Sequence, residues 1–222
     1  SDYSGGKYYM VDNSFPAASN TKIGDWGEDG GTLPIITSLT PEAGWDPAAV
    51  SAVNNSKQAY NYFFNTHSRD SYDGKGSELV SIVNYLKDGN PIVQAFWSNG
   101  AMFYGTGAGA YKNMAIALDV AAHEFSHGVI QHSSNLKYQN QSGALNESFA
   151  DFFGAMVDRN DWTIGEDLRE GLYDRNMKNP SEKGQPSHMS DYRKLSLEED
   201  AGGVHTNSGI PNRVLYLIAE GL

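Results

Sequence analysis

The chain has 222 residues, no cysteine, 16 basic and 27 acidic residues, and a formal net charge of −11. That charge repels phosphate backbones, which argues against nucleic acid as a partner. No apolar stretch approaches the roughly 20 residues of a membrane helix, so a membrane is not expected as a partner either. Without cysteine, a disulfide scaffold and a thiolate metal site are both excluded.

The first half of the chain is predicted to be rich in strands, with one clear helix. "KYYMV" and "TLPIITS" are β-like runs between turn residues. "WDPAAVSAVNNSKQAYNYFFNTH" predicts a helix, because Asp46 can cap it, Pro47 suits its first turn and apolar residues recur at helical spacing. "ELVSIVNYL" and "PIVQAFWSNGAMFYGTG" predict strands, the second with a turn near Asn99 and Gly100.

The second half is predicted to be helical. "NMAIALDVAAHEFSHGVIQHSS" predicts one long buried helix, "ALNESFADFFGAMVD" a second that is entered through "QSG", and "SGIPNRVLYLIAEGL" a third. About forty residues of polar loop separate the last two. We therefore predict an α+β fold. A β-rich N-terminal domain would span residues 1–130 and end in the central helix, and a mainly α-helical C-terminal domain would span residues 131–222.

Two histidines lie four residues apart on the long helix, in "HEFSH". His123 and His127 therefore share one helix face and can present two imidazoles to one ion. Catalytic zinc typically takes three protein ligands and leaves a fourth position to water. Glu147, on the next helix, is the obvious third ligand. Asp151 lies one turn later and suits the carboxylate that accepts a hydrogen bond from the other ring nitrogen of His123.

The remaining histidines fit a metal site less well. A three-histidine site of the metzincin type needs a histidine six residues after His127, where the chain has Ser133. His132 would point well around the helix from His127, and we interpret it as a surface or packing residue. His67 and His188 lie in polar segments and are expected to be exposed.

The longer pattern resembles one known family. "HEFSH", nineteen residues and then the Glu of "GALNESFAD" is similar to the thermolysin family of neutral zinc metalloproteases. "SYDG", "LDVAAHE", "NESFADFFG" and "GGVHTNSGIPN" resemble further family segments, in the same order, over nearly the whole chain. The resemblance implies a secreted, extracellular, zinc-dependent endopeptidase that acts on peptides or proteins. It also implies a chain truncated at both ends, so the rest of the catalytic domain as a separate chain, or a propeptide, is a candidate partner.

The residue beside the first ligand suits the chemistry of peptide hydrolysis. Glu124 would face the open coordination position, accept the proton of the attacking water and pass it to the leaving amine. The resemblance supplies two donors for the developing oxyanion, Tyr138 and His205, and it gives Asp200 as the acid that orients His205.

The resemblance also assigns substrate-binding residues. Arg175 matches the family arginine that holds a substrate carbonyl and supports the neighbouring specificity pocket. "QAFWSNG" resembles the strand edge that pairs with an extended substrate, through backbone groups such as those of Ala95. Trp97 on the same segment is also expected to bind substrate. Gln94 stands where the family usually has Asn, and Ser98 looks inserted.

Four acids fall where the family gathers carboxylates around structural calcium: Asp119, Asp158, Asp161 and Glu166. Hard oxygen donors on separated segments suit this ion. Thr163 occupies a position that is often acidic in the family. The resemblance therefore predicts one calcium ion near Asp158 rather than a pair.

Two rival functions stay open. A binding protein with a structural zinc would need no base beside an open coordination position, so Glu124 argues against it. An enzyme fragment that is inactive alone and completed by another chain is the second rival.

Val120 and Ile164 suggest an apolar pocket, and hence a preference for an apolar residue after the cut.

Overall fold

The computed structural model of the chain describes residues 2–12, 21–25 and 35–222. Its strands, β1 to β11 in chain order, are Asp2–Ser4, Lys7–Tyr9, Val11–Asp12, Thr21–Asp25, Thr37–Ser38, Leu79–Lys87, Asn90–Pro91, Ala95–Ser98, Ala101–Gly105, Thr163–Ile164 and Arg175–Asn176. Its α-helices, α1 to α5, are Pro47–His67, Leu118–Gln131, Asn140–Val157, Asp200–Asn207 and Gly209–Glu220. Short 3-10 helices lie at Met114–Ile116, Glu166–Leu168, Pro180–Lys183 and Met189–Asp191. The predicted α+β fold is confirmed, since most strands precede α2 and α3 to α5 follow it.

The main sheet has the strand order β3-β4-β6-β9-β8, and β7 pairs with β6 beside this path. β6 runs parallel to β4 and β9, whereas β8 and β9 form an antiparallel hairpin. The hairpin turns at Asn99 and Gly100, both of which have positive φ, as the sequence predicts. Within the described residues β8 is the last strand of the order, so one edge of its backbone lies open.

Two predicted N-terminal strands are shorter than expected. "KYYMV" is divided between β2 and β3 at Met10, whose N–H donates to Ile36 O at 2.9 Å. "TLPIITS" includes residues 32–34, which lie outside the described residues, and it contributes only Thr37–Ser38 as a strand.

Helix α1 packs against both the main sheet and α2. Asp46 caps it, because its carboxylate accepts from the N–H groups of Ala48 and Ala49 at 2.7 and 3.1 Å. Phe63 on α1 and Phe125 on α2 are fully buried, with ring centroids 5.3 Å apart. Apolar packing between these helices therefore fixes where α2 lies against the sheet.

The long helix predicted from residue 113 is interrupted. Asn113 caps a 3-10 turn by accepting from Ala115 N at 3.0 Å, and Ala117 is extended, with φ −82° and ψ 122°. The buried side chain of Asn55 on α1 donates to Ala115 O at 2.9 Å. That carbonyl is thus used by a distant side chain rather than by a continuous helix, and α2 begins at Leu118.

Helix α3 begins earlier than predicted, so "QSG" belongs to its first turn rather than to a preceding loop. Gly143 is there because of packing: a Cβ at this position would lie 2.4 Å from Cγ1 of Val204. The segment between α3 and α5, predicted as loop, contains the β10-β11 hairpin, short 3-10 helices and α4. No helix in the described residues combines the length and apolar character that crossing a membrane requires.

Candidate active site

His123 and His127 of α2 lie close to Glu147 of α3 on the floor of one cleft. The two histidine Nε2 atoms lie 3.0 Å apart, and the carboxylate oxygens of Glu147 lie 3.5 Å from them. Among the described residues, only this set of histidines and acids brings three potential ligand atoms within 4.8 Å of one another. The three residues chosen by spacing in the sequence therefore meet in space.

The hydrogen bonds around the histidines make this set suitable for a metal ion. Nδ1 of His123 lies 2.9 Å from Asp151 Oδ1, and Nδ1 of His127 lies 2.8 Å from Asn146 Oδ1. Asn146 donates from its Nδ2 to Leu136 O at 3.3 Å, which fixes Oδ1 as the acceptor. With both Nδ1 atoms donating, two Nε2 lone pairs face each other and a carboxylate, an arrangement that a cation between them would stabilise. Ligand atoms at the roughly 2 Å that zinc takes lie about 3–3.5 Å apart, so the residues fit zinc.

Asp151 connects this centre to two further elements. Nε and Nη2 of Arg175 approach its carboxylate at 2.7–3.0 Å, and Asn212 on α5 donates to it at 2.9 Å. Burial alone would raise the pKa of Asp151, but the charge and hydrogen bonds of Arg175 and His123 outweigh it and hold the pKa well below its usual range. Asp151 therefore stays charged and remains an acceptor for His123.

Two residues at the centre were missed in the sequence. Asn146 and Asn212 are the buried amides that hold His127 and Asp151, respectively. The available signal was an unexplained polar residue in a segment predicted to be a buried helix. That signal marks a residue as partnered but does not identify its partner.

Glu124 lines the same cleft, between the two histidines in sequence, and is 5% exposed. Burial raises its pKa to about 7, although the charge of His127 opposes the shift. A carboxyl group with a pKa near neutrality can both accept and return a proton at the same pH.

Tyr138 and His205 line the same cleft. The Tyr138 hydroxyl donates to Glu147 Oε1 and lies 3.0 Å from His205 Nε2. Burial, followed by the charge of Glu147, raises the pKa of Tyr138, so it remains a phenol donor. His205 Nδ1 lies 2.6 Å from Asp200 Oδ1, which directs Nε2 toward Tyr138.

His205 lies in the helical segment α4 rather than in the polar loop predicted before the last helix. Asp200 to Gly203 form one left-handed turn, with φ values of 53°, 47°, 85° and 87°, before right-handed helix resumes. Asp200 and Ala201 are not glycines, so this turn is strained. Gly202 has no room for a side chain, because a Cβ would lie 2.3 Å from Asn140 Oδ1. The turn brings the Asp200 carboxylate back to His205.

The cleft has a volume of about 680 Å³. Gln94, Ala95 and Trp97 line it from the β8 side, so the open edge of β8 runs beside the centre. Trp97 Nε1 donates to Gln131 Oε1 at 2.7 Å, which fixes the indole against the end of α2. Arg175, also predicted to contact substrate, pairs with Asp151 instead of lining this cleft and is 22% exposed.

The four predicted calcium acids gather around β10. Asp119 accepts from the backbone N–H of Gly165, and Thr163 Oγ1 lies 2.6 Å from Asp161 and 3.2 Å from Glu166. Burial raises the pKa of Asp119 to about 8, and the charge of Glu166 adds to the shift.

Asp158 belongs to the same group. Burial raises its pKa, and so do the nearby acids, among them Asp161. The described structure brings the acids into one region but does not bring three ligand oxygens of this group within 4.8 Å of one another.

Other predicted residues lie away from the centre. His67, His132 and His188 are exposed, and His132 Nδ1 lies 2.9 Å from Gly128 O. Val120 and Ile164 are buried.

Comparison with known proteins identifies the family. A model of the thermolysin metallopeptidase catalytic domain matches residues 1–131, and one of the thermolysin metallopeptidase alpha-helical domain matches residues 134–222. Neutral protease NprE of Bacillus pumilus is 43% identical over 96% of the chain, and an extracellular elastase of Staphylococcus epidermidis is 46% identical over 76%. The chain spans 73% of the first relative and 34% of the second.

A solved structure agrees with these matches. The precursor of protealysin, a metalloproteinase from Serratia proteamaculans, superposes with a TM-score of 0.78 and 33% identity, over 96% of this chain and 72% of that one. The two family models together cover nearly all of the sequence, including the ligand set of two histidines and a glutamate. The chain therefore belongs to the thermolysin family of zinc-dependent metallopeptidases.

Proposed function

We propose that the chain is a zinc endopeptidase that cuts internal bonds of peptide and protein substrates. The observation that carries this proposal is a three-ligand centre on the floor of a cleft, with the carboxyl group of Glu124 beside it. A purely structural metal site gains nothing from a buried acid with a pKa near 7.

His123, His127 and Glu147 would hold the ion. When bound, zinc would supply a Lewis acid and a water molecule of lowered pKa. Glu124 would take the proton from the attacking water and deliver it to the leaving amine. Burial raises the pKa of its carboxyl group, the direction that favours return of the proton to the leaving amine.

Tyr138 and His205 would donate to the carbonyl oxygen as it gains negative charge. Both side chains line the cleft, and their polar atoms lie 3.0 Å apart, so one oxygen can be reached by both. Asp200 would accept from Nδ1 and orient the ring, and His205 would donate at this position with a proton on Nε2 as well.

An extended substrate would pair with the open edge of β8. Ala95 and Trp97 would act through their backbone groups, with Gln94 at the start of the strand. Arg175 would reach a substrate carbonyl with the part of its guanidinium that Asp151 does not use, namely Nη1. We also propose the preference for an apolar residue after the cut, since the cleft is lined in part by Phe96 and Leu136.

One calcium ion would bind near Asp158, together with Asp119, Asp161 and Glu166. Burial first, and then the charges of neighbouring acids, raise the pKa values of Asp119, Asp158 and Glu166, and a bound cation would offset both effects.

We propose two domains, over residues 1–130 and 131–222, with the active-site helix at the boundary. The end of α2 at Gln131 and the separate family models on either side support this division. The name of the staphylococcal relative supports action outside the cell.

Hydrolysis of casein tests the function directly. The chain should release peptides, lose that activity in a chelator and regain it when zinc is restored. Glu147→Ala should retain little zinc and no activity. Stoichiometric zinc in that variant, or full activity in the chelator, would contradict the proposal.

A further inference from the structure

His205 is poorly held by packing, because its side chain is 55% exposed. Its position therefore depends on hydrogen bonds at both ends of the residue. On one side, Asp200 lies 2.6 Å from the ring Nδ1 and accepts from the backbone N–H at 3.2 Å. These contacts leave the carbonyl end of His205 to be fixed by something else.

That second anchor is Gln185, on the loop that follows the 3-10 helix Pro180–Lys183. Its side-chain Nε2 donates to His205 O at 2.6 Å and lies 3.1 Å from Ser208 Oγ. Ser208 Oγ also donates to His205 O, at 2.9 Å. The carbonyl of an exposed residue thus receives two side-chain donors, of which Gln185 makes the shorter contact.

The loop that carries Gln185 packs closely against the start of α5. Gly209 begins α5, and a Cβ there would lie 2.6 Å from Pro186 O and 2.7 Å from Gln185 Cβ. Gln185 itself is 8% exposed. The amide is therefore buried against the segment that holds His205.

The other end of the same amide is not satisfied. Gln185 Oε1 is buried and has no hydrogen-bond partner among the described residues. An unsatisfied buried acceptor is unfavourable for stability, so stability alone gives little reason for a glutamine here. The donor atom Nε2 supplies a reason, because it bonds to His205, the residue that faces the cleft.

We propose that Gln185 is a positioning residue for His205. With Asp200 at the other end, it holds the His205 ring where Nε2 can reach the substrate oxygen beside Tyr138. The inference rests on the proposed role of His205 as an oxyanion donor. Displacing a catalytic group by about 1 Å can cost up to ~10²-fold in rate, so one such anchor is expected to matter.

A double-mutant cycle tests this in the zinc-loaded chain. Gln185→Met keeps the size of the side chain and removes the donor. It should lower kcat about 10-fold, with KM, zinc content and the thermal midpoint nearly unchanged. In the background of His205→Ala the same change should cost less than ~2-fold, because the residue through which it acts is gone. Gln141→Met, an exposed change on α3, is the matched control and should leave kcat unaltered.

A measurement that does not depend on turnover accompanies the cycle. The affinity for a phosphonamidate peptide, whose tetrahedral anion resembles the transition state, should fall by the same factor as kcat in Gln185→Met. Gln185→Glu provides a second variant if the methionine variant unfolds: its carboxylate would face the His205 carbonyl, and kcat should fall at least as far.

The outcomes separate the donor role of His205 from the positioning role of Gln185. Full kcat in His205→Ala rejects the donor role of His205, and the role of Gln185 with it. A large loss in His205→Ala, with full kcat in Gln185→Met, leaves the donor role in place and overturns the inference about Gln185. Losses that multiply in the double variant also overturn it, because they show that Gln185 acts elsewhere.

Discussion

Asn146 and His127 form a hydrogen bond of 2.8 Å that leaves the opposite ring nitrogen free for the metal. The amide is itself held by Leu136 O, so its oxygen faces the ring in one orientation. His123 has a charged partner in Asp151, whereas His127 depends on this neutral one.

Replacing Asn146 by leucine should weaken zinc binding by about 10–100-fold, the usual effect of losing such a partner. Asn146→Asp keeps an acceptor for His127 Nδ1 and should retain more affinity than the leucine variant. Competition for zinc with a chromophoric chelator measures both. Equal affinities for the two variants would show that the hydrogen bond does not orient the ligand.

Glu124→Gln keeps the shape of the side chain and removes its basicity. The variant should bind zinc normally yet lose at least ~10²-fold in turnover, the lower range for general-base catalysis. Glu170→Gln makes the same chemical change at an exposed position and serves as the control. A fluorogenic peptide assay measures turnover, and zinc analysis of the same samples checks the metal content. Near-normal turnover in Glu124→Gln would show that Glu124 is not the general base.

Calcium should stabilise the fold without taking part in the chemistry. An ion that binds only the folded chain at a hundred times its Kd adds about 2.7 kcal/mol, which for a chain of this size raises the midpoint by roughly 5–10 °C. Asp119→Asn should abolish that response, whereas Asp88→Asn, an exposed change in the β6-β7 turn, should preserve it. Differential scanning fluorimetry at fixed zinc gives the answer, and an unchanged response in Asp119→Asn would place the ion elsewhere.

Alanine at Gly202 should be more harmful than alanine at Gly171. Both glycines have positive φ, 85° and 70°, so each substitution costs about 1–2 kcal/mol in the backbone. At Gly171 a Cβ meets nothing within 4 Å, but at Gly202 it meets Asn140. Urea unfolding should therefore show a larger loss for Gly202→Ala, and kcat should fall only in that variant. Equal losses would mean that the left-handed turn tolerates displacement.

Local chemistry made much of the fold predictable. Asp46 caps α1 and Asn99 turns the β8-β9 hairpin, because each signal involves neighbours along the chain. The candidate zinc ligands His123 and His127 could be predicted for a similar reason, since their spacing on one helix determines that they share a face.

The features that were missed depend on residues far away in sequence. The break before α2 involves Asn55 on α1, and Gly143 is needed because Val204 approaches it from α4. The partnership of Asn212 with Asp151 exists only once α5 packs against α3. Such contacts between distant elements leave no periodic or motif signal in a single sequence.

The proposed pairing of substrate with the open edge of β8 would limit the form in which a protein can be cut. A substrate that adds to this edge must offer several residues of main chain in extended form, with their own hydrogen bonds released. Compact proteins hold those groups inside helices and sheets, so cleavage would begin at flexible loops, chain ends and segments that open transiently. When such opening is fast relative to cleavage, the rate follows the population of the open form, and the stability of the target then governs which proteins are degraded.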